Sequence, residues 1–391
     1  MKQIESLKLR SELTMHCCLV FFIYFLFSGL VNSAYADTSI ITKKQRHVID
    51  TFTTFNGTTL KQVQVGWESY GQLNEKKNNV ILITHYFTGN SHAAGKYHPD
   101  DTSVGYWDNI IGPGKAIDTN QYFVISVDTL ANLSVYDPNV ITTGPASINP
   151  ETGKPYGLNF PVVTIRDFVN VQKSVLESLG IHQLHAVVGA SMGSMQAIEW
   201  ASAYPEWVNN IISIIGSVHS DAWTTSALEQ WAIPIKLDPL WQEGNYTQSN
   251  RPMAGLTASL MFITQIALHP EYFNQIGNQI SHSPLEYAPL NNIFADHEIT
   301  QWLRDRAAAR AELMDPNHLL YLVRACQLFL TGHNQSLKNG LMNINANVLF
   351  IPADNDLLLM PYHARNKRRL LSGYLGWGVA HNAAIRHATS R

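Results

Sequence analysis

The run Gly189-Ala190-Ser191-Met192-Gly193 constrains this chain more than any other feature. It follows the apolar segment Leu184-His185-Ala186-Val187-Val188 and leads directly into a helical pattern, so it reads as strand, tight turn and helix. Glycines on both sides of a serine let strand and helix approach closely at the turn. The serine hydroxyl is then lifted clear of the backbone. Ser191 is therefore the candidate nucleophile, and the chain has to supply a sheet to hold it.

With 391 residues, 45% of them hydrophobic, the chain can bury a large core. The net charge is −3, and Lys and Arg do not cluster before the C-terminus. A nucleic-acid binder, which needs a basic face, is excluded on that ground. Lys2, Lys8 and Arg10 precede an apolar run from Cys17 to Phe27, and Ala34-Tyr35-Ala36 follows with small-residue spacing. This run is shorter than the ~20 residues that span a bilayer, so residues 1–36 read as a signal peptide cleaved after Ala36. The rival reading is an uncleaved anchor. A periplasmic or secreted protein is the expectation, touching the membrane only through that segment. Cleavage would leave Cys326 as the single cysteine and exclude an intrachain disulfide. Its amphipathic surroundings make it a small buried apolar residue.

From residue 60 onward, short apolar runs alternate with helical periodicity, which predicts an α/β fold with a mostly parallel sheet flanked by helices. Strands are expected at Val80–Ile83, Tyr122–Val127, Leu184–Val188, Val208–Ile215 and Val348–Ile351. Thr164 caps a helix that Gly180 stops, and Met192–Tyr204 forms the helix after the turn. The long interval between the last two strands reads as helical pieces at Leu256–Leu268, Ile299–Leu313 and Leu319–Leu330. The expected layout is a first core part over 37–217, a helical lid over 218–340 and a C-terminal core part over 341–391. Such an insertion would cover the carboxyl edge of the sheet, where open α/β sheets bind ligands.

A serine at such a turn needs a histidine base oriented by a carboxylate, in the chain order serine, acid, histidine. The strand Val348–Ile351 delivers Asp354-Asn355-Asp356, and spacing alone leaves both aspartates open. His363 follows the acid too closely to reach round. Of His381 and His387, His381 is the candidate. The oxyanion donors expected are the N–H groups of Met192 and of Phe87, in Thr84-His85-Tyr86-Phe87-Thr88-Gly89. His85, His92 and His98 lack the regular spacing of a metal site, and no metal is expected.

These residues resemble the homoserine O-acetyltransferase family of α/β-hydrolase-fold enzymes. The stretches that carry the resemblance are His85–Gly89, Trp107–Thr119, Thr143–Pro150, Thr164–Asp167, Ser191–Trp200 and His318–Ala325. It covers roughly residues 45 to 362 and implies a Ser191–Asp356–His381 triad. Asp356 fits the family acid better than Asp354, and His381-Asn382-Ala383-Ala384 parallels the family's His-Asp-Ala-Phe. The implied chemistry is double displacement: Ser191 takes an acyl group from a thioester and passes it to a hydroxyl. Acyl-CoA would then be a co-substrate, with no cofactor bound. The partners implied are a small-molecule acyl donor and acceptor, with a homodimer allowed.

Three departures bear on the acceptor. Ala232 stands where the family carries an arginine for the amino-acid carboxylate, and Asn382 stands where it carries an aspartate. Asn132-Leu133-Ser134-Val135-Tyr136 replaces a glycine-rich stretch. No apolar strand is visible between Asp356 and His381, so the tail reads as altered or truncated. Three functions stand on this reading. They are an acyltransferase, a secreted ester hydrolase with water as acceptor, and a catalytically impaired relic whose tail misplaces His381.

Overall fold

A computed structural model describes residues 40–281, 286–333, 336–362 and 377–379. The readings of residues 1–36 as a signal and of His381, Asn382 and His387 fall outside them. The unit beginning at Ile41 is built on an eight-stranded sheet of order β1-β2-β6-β3-β7-β8-β9-β10. Its strands are β1 (Gln45–Thr53), β2 (Thr59–Tyr70), β3 (Val80–Thr84), β6 (Phe123–Val127), β7 (Ala186–Ala190), β8 (Asn210–Ile214), β9 (Asn347–Ile351) and β10 (Trp377–Val379). A separate small ribbon joins β4 (Ile111–Gly112) to β5 (Ile117–Asp118).

The parallel strands lie where buried apolar runs predict them. Each of β3 and β7 is buried along most of its length, because helices cover both faces. The sheet begins earlier than the sequence suggests. β1 pairs antiparallel with β2, and its alternating residues stay exposed at the sheet edge, so no apolar run announces it. The C-terminal expectation is also corrected. Trp377–Val379 does form a strand after the acid, parallel to β9 with Trp377 opposite Val348. Three residues with a central glycine carry too little apolar periodicity to reveal it.

Two helices fix the sheet's centre: α1 (Ile165–Ser178) and α2 (Met192–Ala203). Thr164 and Asp167 form a reciprocal capping box at the start of α1. Asp167 Oδ1 also accepts the Phe55 N–H at 2.6 Å, which ties the β1–β2 turn to this helix. α2 is buried nearly throughout. Its Glu199 carboxylate accepts from Arg166 Nε of α1 at 2.5 Å and from the Gly332 N–H at 2.8 Å.

Between β8 and β9 the chain is helical, as the sequence predicts. It runs through α3 (Ala222–Leu237), α4 (Met253–Ala267), α5 (Pro270–Ile280), α6 (Tyr287–Asn291), α7 (Glu298–Ala311), α8 (Pro316–Gln327) and α9 (Leu337–Met342). Ala307 and Ala311 of α7 and Leu256 and Leu260 of α4 are fully buried. No helix among the described residues is long and apolar enough to cross a membrane. Cys326 is buried in α8, and burial pushes its thiol up to about 12, as a structural rather than reactive cysteine requires.

Candidate active site

Ser191 stands immediately past the carboxyl end of β7, with φ 56° and ψ −121°. Residues with a Cβ rarely adopt this backbone, and its surroundings hold it there. The Ser191 N–H donates to the Ile214 carbonyl at 3.0 Å, and its own carbonyl accepts from Ser194 N–H at 2.9 Å. The two flanking glycines are needed for close approach. A Cβ on Gly189 would lie 2.2 Å from Thr84 Oγ1 and from the Gly193 carbonyl. One on Gly193 would lie 2.1 Å from the Thr84 carbonyl. Thr84 Oγ1 donates to the Gly193 carbonyl at 2.7 Å, pinning the end of β3 to the first turn of α2.

That contact sets the loop after β3. His85 is fully buried, and burial holds its pKa below the usual histidine value. Its Nε2 accepts the Thr129 N–H at 3.1 Å, so the ring proton sits on Nδ1, which donates to the Tyr86 carbonyl at 2.8 Å. The Gly89 N–H donates to the same carbonyl at 2.9 Å. Because the peptide is planar and trans, fixing the Tyr86 carbonyl aims the Phe87 N–H the opposite way. Among the described residues, neither the Phe87 nor the Met192 N–H has an acceptor. Gln196 of α2 locks the loop from below by donating to the His85 carbonyl at 3.1 Å. Its own oxygen accepts from Gln172, which in turn accepts the Trp200 indole N–H at 2.7 Å. The sequence reading weighs His85 only as a metal ligand, rejects that on spacing and overlooks this clamp, although its place at a strand end was the available signal.

His92 and His98 lie apart from this arrangement. His92 Nδ1 bonds Glu68 at 3.0 Å, and His98 is exposed. Glu68 is fully buried and also accepts from Tyr97 at 2.7 Å and Tyr70 at 3.0 Å, with Lys44 ion-paired at 2.8 Å. Buried desolvation works against that carboxylate's charge, yet these donors and the cation hold its pKa below the ordinary value.

Asp354 and Asp356 separate cleanly. Asp354 is exposed, whereas Asp356 is half-buried with Oδ1 accepting the N–H groups of Leu358 and Leu359 at 2.8 and 2.7 Å. Burial raises its pKa, opposed by those two N–H groups. The helical insertion grips the same loop. Trp223 Nε1 donates to the Leu357 carbonyl at 2.9 Å, and Thr224 Oγ1 donates to the Leu358 carbonyl at 3.2 Å. β9 lies two strands from β7, a lateral separation of about 10 Å, so one imidazole between the two strand ends can span the interval from Ser191 to Asp356. Phe87 follows the carboxyl end of β3, Ser191 and Met192 that of β7 and Asp356 that of β9, all within the parallel part of the sheet.

Two of the three departures from the family pattern are also placed. Ala232 is buried in α3, beside Trp231, whose ring meets Phe87 edge-on at 5.1 Å between centroids. Asn132 Nδ2 donates to the Gly89 carbonyl at 3.1 Å, and the Asn132 carbonyl accepts from His318 Nδ1 of α8 at 2.7 Å. Tyr136 donates to Asp315 at 2.9 Å. The stretch Asn132–Tyr136 therefore fastens the oxyanion-side loop to the insertion.

A sequence profile described as the α/β hydrolase fold matches residues 80–382. The crystal structure of esterase E22 superimposes with a TM-score of 0.85 at 60% identity, covering 89% of this chain and 95% of that one. Homoserine O-acetyltransferase from Bacillus anthracis gives a TM-score of 0.82 at 38% identity, covering 87% and 91%. Homoserine O-acetyltransferase of Methanosalsum zhilinae is 35% identical over 332 residues, 84% of this chain and 65% of that protein. The chain thus spans just under two thirds of the length of that curated relative. With the fold, the strained serine turn and these matches in agreement, the chain belongs to the α/β-hydrolase fold and, within it, to the homoserine O-acetyltransferase family.

Proposed function

We propose that this enzyme is a carboxylic-ester hydrolase working through an acyl-enzyme on Ser191. The observation that carries the reading is Ala232. α3 reaches the oxyanion-side loop through Trp231 and Phe87, and at the next position a buried methyl stands where the family resemblance implies an arginine for an amino-acid carboxylate. The likeness at 60% identity to a protein described as an esterase supports the same direction. So does the reading of residues 1–36 as an export signal, because acyl-CoA donors are cytosolic.

In this mechanism Ser191 Oγ attacks the ester carbonyl while His381 takes its proton. Asp356 stabilises the imidazolium, and the Phe87 and Met192 N–H groups hold the oxyanion. The alcohol leaves with the proton from His381. Water then attacks the acyl-enzyme, gives a proton to His381, and the carboxylic acid departs as Ser191 recovers its hydrogen. Transfer to a hydroxyl acceptor is the second reading, favoured by the homoserine O-acetyltransferase relatives.

A serine-directed fluorophosphonate probe tests the site on wild type, Ser191→Ala and His381→Ala. Absence of Ser191-dependent labelling sinks both readings. With labelling established, turnover of an aryl acetate in water is compared with acetyl-CoA plus homoserine. Faster acetyl transfer to homoserine than hydrolysis overturns the hydrolase assignment.

A further inference from the structure

Two arginines on α7 carry charge that nothing in the described chain neutralises. Arg306 and Arg310 stand one helical turn apart on one face of the helix. Arg310 Nη1 donates to Thr264 Oγ1 of α4 at 3.1 Å, and that hydroxyl donates onward to the Leu260 carbonyl at 2.7 Å. The Arg310 guanidinium lies close enough to Tyr86 for its charge to act on the phenol, and close enough to Arg306 for the two cations to repel. Arg306 lies over the Trp302 ring, 5.8 Å from its centroid, and its Nε is buried without a hydrogen bond.

Among the described residues no carboxylate pairs with either guanidinium, whereas Arg304 of the same helix meets Asp296 at 3.0 Å. Outside the described residues, acidic side chains occur only at Glu5, Glu12 and Asp37, all within residues 1–39. Burying an unpaired cation is costly, and a like charge one turn away adds to the cost. An anion held between the two forks would offset both.

The position ties this charge to the reaction. Tyr86 immediately precedes Phe87 on the oxyanion-side loop. Just beyond the end of α4, which bears Thr264, His269 bonds Asn355 of the acid loop at 3.0 Å. We infer that Arg306 and Arg310, with Thr264, form an anion subsite for a carboxylate on the substrate. The preferred ester then carries a free carboxylate in addition to its scissile bond. The inference rests on the ester-hydrolase reading for its substrate and differs from the family's grip at position 232.

Binding to the Ser191→Ala protein tests the subsite without turnover. By calorimetry, monoethyl glutarate should bind at least tenfold more tightly than diethyl glutarate. That preference should be lost in Ser191→Ala/Arg310→Gln, be partly kept in Ser191→Ala/Arg310→Lys, and be unchanged in Ser191→Ala/Arg304→Gln. Equal affinity for the two glutarates, or a preference that survives Arg310→Gln, overturns the subsite. Coenzyme A binding that depends on Arg310 while monoethyl glutarate binding does not would assign the pair to phosphates and overturn it equally. Failure of Ser191-dependent hydrolysis removes only the catalytic reading, because the binding measurement stands apart from it.

Discussion

The backbone of Ser191 offers a quantitative test of the nucleophile turn. At φ 56° and ψ −121° a residue with a Cβ stores strain of about 1–3 kcal/mol. Ser191→Gly removes that strain and loses the hydroxyl, but adds conformational freedom to the unfolded chain worth about 0.5–1 kcal/mol. Ser191→Ala loses the same hydroxyl and keeps the Cβ, so the difference between the two variants isolates the backbone. The net expectation is that Ser191→Gly is more stable than Ser191→Ala by about 1 kcal/mol, reversing the order found where backbone angles are ordinary. For a folded unit of about 350 residues the unfolding entropy is ~0.7 kcal/mol/K, so the gain corresponds to about 1.4 °C in Tm. Paired thermal melts and denaturant titrations at one protein concentration measure it, and both variants should be inert to the fluorophosphonate probe. Should Ser191→Gly melt below Ser191→Ala, the strain argument fails.

Three further outcomes follow from the geometry. His85→Phe deletes the Nδ1–H that holds the Tyr86 carbonyl, so the Phe87 N–H loses its aim. The expected loss in kcat is about 10²-fold with KM little changed, and a folded variant within threefold of wild type contradicts the clamp. Glu199→Ala strands Arg166 and the Gly332 N–H. Denaturant unfolding should show a loss of about 3 kcal/mol, while Glu199→Gln, which still accepts from Gly332, should lose less. Asp356 has a folded pKa raised by burial, so its contribution to stability is full below the unfolded pKa and declines as pH rises through the folded pKa. Asp356→Asn should therefore raise Tm at neutral pH relative to wild type, leave it unchanged in acid, and abolish turnover. A Tm below wild type at neutral pH contradicts that sign.

The sequence revealed those parts of the architecture that rest on dense local signals. Val80–Ile83 and Leu184–Val188 are apolar runs that only a buried parallel sheet accommodates, and both became central strands. Thr164 announced the capped start of α1, and its reciprocal partner Asp167 emerged only in the structure. The serine turn was legible because two glycines and a serine are a backbone requirement as much as a chemical one. β1 was hidden because its residues face water on alternate sides, and β10 because three residues carry no period. Spacing left Asp354 and Asp356 open and the family resemblance favoured Asp356; burial and the two N–H groups at Leu358 and Leu359, neither with a signature in composition, separate the two physically. The same holds for Arg306 and Arg310. The sequence reading singles out neither, and only the packing of α7 against α4 exposes the missing counter-ions.

The grip of α3 on the loop of Asp356 has a mechanical consequence. Trp223 and Thr224 hold the carbonyls of Leu357 and Leu358, and those same residues' neighbours present the N–H groups that orient Asp356. A swing of α3 outward would therefore disarm the acid as it admitted substrate. On the proposed mechanism α3 is thus a fixed doorpost on which the Asp356 carboxylate is hung.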